Sequence, residues 1–394
     1  MIKKFKKNRF LLWSFALYPI FGQYILKSVP ISLGQILMIL GILWMALLGE
    51  RPTLNKSIFF TGLALAAYNF VPGLLLYNSI TNTINNSLSI LFTFLLFSCA
   101  FNELSGEIEE YYLIIKKIGI ICTLFIFIQA ILHFRYGINI YGRLTFLDGL
   151  FKCDNNLVFL WIDYGHPCSF FYEPAHYSIY MAPPLLLSLS HKDYLVTVLC
   201  AIGMFVSTSS TGYAMVVLSI TLFVFFSVET KYKFGLIPIM LVAFIYLISY
   251  SGLDLSKFQL DNINSNIRVF GTLEYFKSFT LSDWLFGVGF NRLAEWGSIR
   301  GVNNKGYANS FFFMVFSYGL FGLFMCIYFI RVLINRDTWK PLAIIVIALL
   351  FSDQMCFNRN FIYLVFILLL CAGYNKDNLE KTTKKLTRQV DYTN

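Results

Sequence analysis

Charge is scarce in this chain. Asp, Glu, Lys and Arg supply only 13% of its 394 residues, too few to cover a water-soluble domain of this size. Against them stand 57% apolar residues and a mean hydropathy of +0.66, more apolar surface than one globular core can hide. The same balance excludes a disordered chain, and a collagen-like helix or a short disulfide-stapled scaffold would need a Gly period or a short, Cys-dense chain. Histidine is rarer still. His133, His166, His176 and His191 have no metal-motif spacing with one another or with Cys, so no metal site is expected. There is no Gly-rich phosphate loop after a strand, no Gly-x-Ser-x-Gly elbow, no zincin helix, no internal repeat and no low-complexity tract.

Long apolar runs are what the chain does have. A helix needs about 20 apolar residues to cross a bilayer core, whereas a barrel strand shows only about ten residues of alternation. The runs here are long and unalternating, and they predict spans at 10–26, 29–49, 57–77, 83–101, 118–134, 176–190, 194–210, 211–228, 235–251, 308–330, 341–357 and 360–374. The expectation is an all-α integral membrane protein of about 12 transmembrane helices, one multi-spanning domain over 1–374 with a polar tail at 375–394. The basic start, Met1 to Arg9, imitates a signal peptide. No small-residue cleavage site follows, so the first span is read as retained.

Lys and Arg resist crossing the bilayer and collect in the cytoplasm. With the N-terminus inside, most of the 31 Lys and Arg fall on the cytoplasmic side, from Lys3, Lys4, Lys6, Lys7 and Arg9 onward. Both termini, including the tail, are therefore expected in the cytoplasm. The net charge of +10 is then mainly a topology signal and argues against nucleic-acid binding. Two long loops, 135–175 and 252–307, face outward, and loops of that length usually have a function or fold locally.

Of the 8 Cys, Cys153 and Cys168 share the first outer loop and are either a disulfide or two thiols; the others lie in or beside spans, where Cys behaves as a small hydrophobe. The end of that loop reads Gly-His-Pro-Cys-Ser-Phe-Phe-Tyr-Glu-Pro-Ala-His-Tyr from Gly165 to Tyr177. Glu173 here either caps a helix that Pro174 begins, or serves as a general base three residues from His176 on the same helical side. His176 is equally open to a plain buried polar contact. The outer loops also carry Arg135, Arg143, Lys152, Lys257, Arg268, Lys277, Arg292, Arg300 and Lys305. Cations on the face that topology depletes suit a pyrophosphate-bearing lipid, because the Arg fork matches phosphate oxygens. The alternative for each is a lipid head group or a loop carboxylate. Residues 264–279 read as a helix lying in the interface, and Trp284-Leu-Phe-Gly-Val-Gly-Phe290 reads as a tight turn or close backbone approach. Asp353 is an ionisable residue inside a predicted span, paired in its simplest reading with Arg359.

Four motifs in order resemble the Wzy-type O-antigen and polysaccharide polymerases, within the superfamily that includes the O-antigen ligases. Phe171-Tyr-Glu-Pro-Ala-His176 is similar to that family's Phe-x-Glu-Pro-Ser stretch, and Ser207-Thr-Ser-Ser-Thr-Gly212 to its Ser-x-Ser-Arg/Thr-Gly turn. Arg268 followed by Trp284–Phe290 resembles its Arg and Phe-Gly-x-Gly in the large outer loop. Ala308-Asn309-Ser310 with Tyr318-Gly-Leu-Phe-Gly322 resembles its His-Asn and Gly-x-x-Gly entry to the next span. Ala308 stands where the ligases have His, which favours polymerase over ligase.

The resemblance implies a GT-C-like, metal-independent glycosyltransferase with no cofactor, in the bacterial inner membrane. Its donor and acceptor would be glycans on undecaprenyl pyrophosphate, and a flippase and a chain-length regulator would be its partners. Arg268, with Arg143 or Arg292, would stabilise the departing pyrophosphate. Glu173 would accept the acceptor's hydroxyl proton, with His176 as its rival. Tyr172, Lys277 and Asn309 would contact substrate, and Tyr172 and Trp284 are candidates to pack on sugar rings. A ligase, another lipid-linked glycosyltransferase or a lipid-linked oligosaccharide transporter are the competing readings.

Overall fold

The computed structural model describes residues 9–29, 31–48, 53–76, 80–104, 106–153, 158–227, 267–302, 308, 310–333 and 358–371, with isolated positions between 235 and 349. The described chain is mostly helical. Its helices are α1 (Arg9–Phe21), α2 (Leu33–Leu47), α3 (Lys56–Leu76), α4 (Ile80–Leu104), α5 (Ile108–Tyr136), α6 (Pro174–Ser190), α7 (Tyr194–Val206), α8 (Ser210–Ser227), α9 (Ile267–Ser278), α10 (Leu281–Phe286), α11 (Leu293–Ile299), α12 (Ser310–Leu333) and α13 (Arg359–Cys371). Two three-residue strands, β1 (Tyr24–Leu26) and β2 (Phe151–Cys153), pair antiparallel with Tyr24 opposite Cys153.

Among the described residues four helices, α3, α4, α5 and α12, are long and apolar enough to cross a membrane. α5 shows why the environment must be apolar. Its inner face buries Ile114, Ile115, Ile118, Cys122 and Ile126, while Leu113, Ile121, Leu124, Ile128 and Ile131 on its outer face stand about half exposed. A helix in water would carry charge on that outer face. Its 29 residues reach roughly 44 Å, so its ends extend past a hydrocarbon core of about 30 Å. The ends are dressed accordingly: Glu109 and Glu110 lie in the first turn, Arg135 in the last, and left-handed Gly137 closes the helix.

The predicted spans at 10–26, 29–49, 194–210, 211–228 and 360–374 coincide with shorter apolar helices, α1, α2, α7, α8 and α13. α1 ends at Phe21 and the chain turns into β1, so the first predicted span is only partly helical. Most of the span at 235–251, Asp353, and most of 341–357 lie outside the described residues. α6 fills the predicted span at 176–190 and sits at the centre of the bundle, with most of its residues buried. It also contains Pro183 and Pro184, and Pro184 has no N–H to offer the Tyr180 carbonyl one turn back. The Tyr363 hydroxyl of α13 donates to that oxygen instead, at 3.1 Å. α13 is apolar all round and buried at every residue from Phe361 to Cys371, and its Phe366 stacks on Phe15 of α1 at 3.8 Å.

Close packing is achieved with small residues, as is usual between helices in lipid. A Cβ on Gly62 would lie 2.1 Å from the Phe94 side chain, and one on Gly73 would lie 2.3 Å from Thr83, which is how α3 and α4 pack side by side.

Candidate active site

The first long loop, 135–175, is tied down by two glutamines. The Gln129 amide near the end of α5 donates to the Ile140 carbonyl at 2.9 Å, and its oxygen accepts the Ser169 N–H at 2.8 Å, so one side chain clamps both ends of the loop. Gln23 donates to the Phe170 carbonyl at 2.7 Å. The β1–β2 pair and the Tyr24 hydroxyl, which accepts the Leu144 N–H at 2.8 Å, fasten the middle of the loop to the N-terminal helices. At Gly142 the backbone passes so close to Ser169 that no side chain fits.

These clamps deliver the Glu173 region to one spot. Glu173 occupies the N-cap position of α6 with Pro174 at the first helical position, yet its side chain makes no capping hydrogen bond. The carboxylate instead reaches His176, Oε1 to Nε2 at 3.3 Å, and the two side chains remain 28% and 15% exposed. The His176 Nδ1 meets no hydrogen-bond partner among the described residues. Tyr172 lies against the imidazole with ring centroids 5.6 Å apart, and the Arg359 guanidinium lies over the Tyr172 ring, 4.9 Å from its centroid. The arginine's charge is within electrostatic reach of His176 and of Tyr18. Beneath this cluster the buried Cys168 thiol is pushed up to about 12, first by burial and then by the Glu173 charge. No disulfide joins Cys153 and Cys168.

A carboxylate, an imidazole, a phenol and a guanidinium are thus gathered around the first turns of α6 and α13. Arg143, in the same loop, is held by Asp148 at 2.9 Å.

The described part of the second long loop forms a separate group. Val288 and Gly289 donate to the Phe316 and Ser317 carbonyls of α12, both at 2.9 Å, where α12 is broken at Gly319 (φ 64°, ψ −170°). Gly287 (φ 71°, ψ 179°) faces it, and a Cβ on either glycine would lie 2.5 Å from the other's backbone nitrogen. Only glycine occupies this backbone region readily. The sequence motifs Trp284–Phe290 and Tyr318–Gly322 are therefore two halves of one backbone crossing. Non-helical backbone at membrane depth needs such a partner for its carbonyls. Asn69 of α3 accepts the Phe290 N–H at 2.7 Å, and Asn86 of α4 donates to the Phe290 carbonyl at 2.8 Å, locking the crossing to the bundle.

Arg292 follows this crossing. It is 3% exposed and paired with Glu295 at 2.6 Å. Trp284 packs internally on Phe276, Phe279 and Phe316 rather than presenting a free face for a sugar. Helix α9 forms where the interfacial helix is expected, and Arg268 lies in its first turn, but the Arg268 side chain and Asn309 lie outside the described residues. Lys277 is exposed in the last turn of α9. Ala308 is wholly buried.

Sequence reasoning read Arg359 only as a partner for Asp353, not as a member of the Glu173 cluster, and it missed Gln129 and Gln23. For Arg359 the available signal was a cation placed on the outer side by the orientation rule, yet outside both long loops. The glutamines gave none, since a clamp across a loop leaves no local pattern. A groove of about 510 Å³ lined by Lys56, Phe60, Thr61, Phe321, Phe324 and Tyr328 lies at the Lys56 end of α3, the opposite end from Asn69 and the backbone crossing. It contains no catalytic side-chain chemistry. Among the described residues no three His, Cys, Asp or Glu side chains converge as metal ligands would.

Comparison of the chain with protein families, with curated proteins and with solved structures returns no match.

Proposed function

We propose that this protein is a membrane-embedded glycosyltransferase of the polysaccharide polymerase type, a twelve-span GT-C-like protein of the bacterial inner membrane with both termini in the cytoplasm. It joins undecaprenyl-pyrophosphate-linked repeat units on the outer face, working beside a flippase and a chain-length regulator. The observation that carries this reading is the Glu173 carboxylate, which sits at a helix start without capping it and is turned instead toward His176 in a partly open cluster. A carboxylate used only as a cap would hydrogen-bond the first-turn N–H groups.

In the proposed reaction an acceptor sugar hydroxyl attacks the donor's anomeric carbon. A new C–O bond forms, the bond from that carbon to the pyrophosphate oxygen breaks, and its electron pair leaves with the lipid pyrophosphate. The hydroxyl proton passes to Glu173, with His176 holding the carboxylate in place. Arg268, on α9, supplies positive charge toward the leaving group. Lys277 and Asn309 are secondary contacts. Arg143 and Arg292, each held by a carboxylate, serve the loops' architecture more than the substrate.

The test is reconstitution of purified protein with lipid-pyrophosphate-linked repeat units, sizing glycans on a gel beside Glu173→Gln and Arg268→Ala variants. A ladder spaced by one repeat, lost in both variants, is the expected result. Units that stay single but change leaflet would establish a transporter instead. Units that stay single and in place would turn attention to a ligase acceptor.

A further inference from the structure

Resting on that reading of the site, we propose that Asn360, together with Nδ1 of His176, binds hydroxyl groups of the acceptor sugar and so sets that sugar beside Glu173. Asn360 is 1% exposed, and neither its amide nitrogen nor its oxygen has a hydrogen-bond partner among the described residues. The other buried carboxamides there are all engaged: Asn69 and Gln129 bond through both atoms, and Gln23 donates to the Phe170 carbonyl. Capping does not explain Asn360, since the Asn358 side chain already accepts the Asn360 and Phe361 N–H groups at 3.0 and 3.1 Å. A buried amide with nothing to bond destabilises the folded chain, and it becomes favourable where a polar ligand supplies the missing bonds.

Helix register brings this amide to the Glu173 cluster. Tyr363 of α13 stacks on Tyr180 of α6 with ring centroids 4.7 Å apart and bonds its carbonyl, while Arg359, at the start of α13, lies over Tyr172 just before α6. The two helices therefore run side by side in the same direction between these contacts. Asn360 is one turn before Tyr363 on the same face of α13, and His176 is one turn before Tyr180 on the same face of α6, so the two lie at one level. They do not bond each other: Nε2 of His176 faces Glu173 at 3.3 Å, and its Nδ1 is buried without a partner. With the ring proton on Nε2 toward the carboxylate, Nδ1 is an acceptor, and the amide adds a second acceptor and an NH₂ donor. Hydroxyl groups, which donate and accept at once, satisfy that set. The oxygens of a pyrophosphate carry no proton to donate and would leave both acceptors unmet. Tyr172, Glu173 and His176 are partly exposed, which gives a sugar its approach.

The experiment uses the whole protein in nanodiscs and native mass spectrometry with two probes: lipid-pyrophosphate-linked repeat units isolated from the producing cells, and bare polyprenyl pyrophosphate. Wild-type protein should bind the glycan-bearing probe more tightly than the bare one. Asn360→Leu, close to it in volume, should weaken the glycan-bearing probe by about 3- to 30-fold, the loss expected for one or two neutral hydrogen bonds, and leave the bare probe unchanged. In turnover the same variant should raise KM for the repeat unit with kcat nearly unchanged. Its thermal midpoint without ligand should equal or exceed that of the wild type, because an unmet amide has given way to an apolar group. Should leucine not be accommodated, Asn360→Ala is expected to show the same loss of preference for the glycan. A lower midpoint with the glycan preference intact would mean an amide satisfied by a resident water, and overturns the proposal. Equal weakening of both probes overturns the assignment to sugar hydroxyls. Either of those results, with the wild-type preference present, leaves the glycosyltransferase reading standing. If the wild-type protein has no preference for the glycan-bearing probe, the functional reading itself falls, and this proposal with it.

Discussion

Two residues of the same loop should behave in opposite ways. Glu173 is partly open and turned toward His176; under the proposed function Glu173→Gln should cut polymer formation by about 10² to 10⁴, the range a general base contributes. The same substitution should leave the thermal midpoint nearly unchanged, because no helix-capping bond is lost. Cys168, in the same loop, is fully buried and its thiol is held up to about 12. It should therefore stay unreactive toward maleimide at pH 8 in folded protein, and label only after denaturation. Of this chemistry the sequence displayed the Glu-Pro-Ala-His run, because spacing along one helix start is a local property. It could not display Arg359, which comes to Tyr172 from a helix almost two hundred residues further on. Such a meeting is set by packing and leaves no periodicity to read.

At the scale of elements, the crossing of Gly287 with Gly319 is the most sensitive point described. Gly319→Ala should destabilise the protein by about 2–4 kcal/mol, since it adds a Cβ in forbidden backbone space against another main chain. The drop should be visible as a lower thermal midpoint, while Gly137→Ala, whose Cβ would meet nothing within 4 Å, should cost less. The glycine spacing hinted that backbone would approach closely; which partner it approached was invisible, for the partner is another glycine motif thirty residues away.

A second element-scale prediction concerns acid. Between α6 and α7, Asp193 pairs with Lys116 and accepts from the Tyr112 hydroxyl, and the Lys116 hydrogen bond holds its carboxyl below the ordinary value. A carboxyl lowered on folding contributes stability that is full above its unfolded value, about 3.9, and is lost as pH falls through the lower folded value. Melting curves should thus show a constant, full contribution from this pair between pH 5 and 8, and a fall below about pH 4 that Lys116→Met reduces.

For the molecule as a whole, helical class and apolar surroundings were legible because both depend on composition and run length. Helix ends were less so: α1 stops at Phe21 where hydropathy alone runs on, because β1 needs the next residues to pair with β2. Orientation is open to a direct check. A cysteine at the exposed Ser282 of α10 should react with a membrane-impermeant thiol reagent from outside, above the background of the parent protein, and one at Lys192 should react only after lysis. The reverse pattern would invert the assignment of every loop.

The first and last helices touch through Phe15 and Phe366, and α13 is sheathed on all sides although it is the final described helix of the chain. The interior is consequently finished last. During synthesis α6 must wait, its Tyr180 carbonyl without the hydroxyl that will bond it, until Tyr363 has been made. Glu173 likewise exists long before Arg359 arrives beside it. A nascent or truncated chain that ends before α13 holds Glu173, His176 and Tyr172 without the guanidinium that covers them, so the cluster is assembled only when the last described helix has been made.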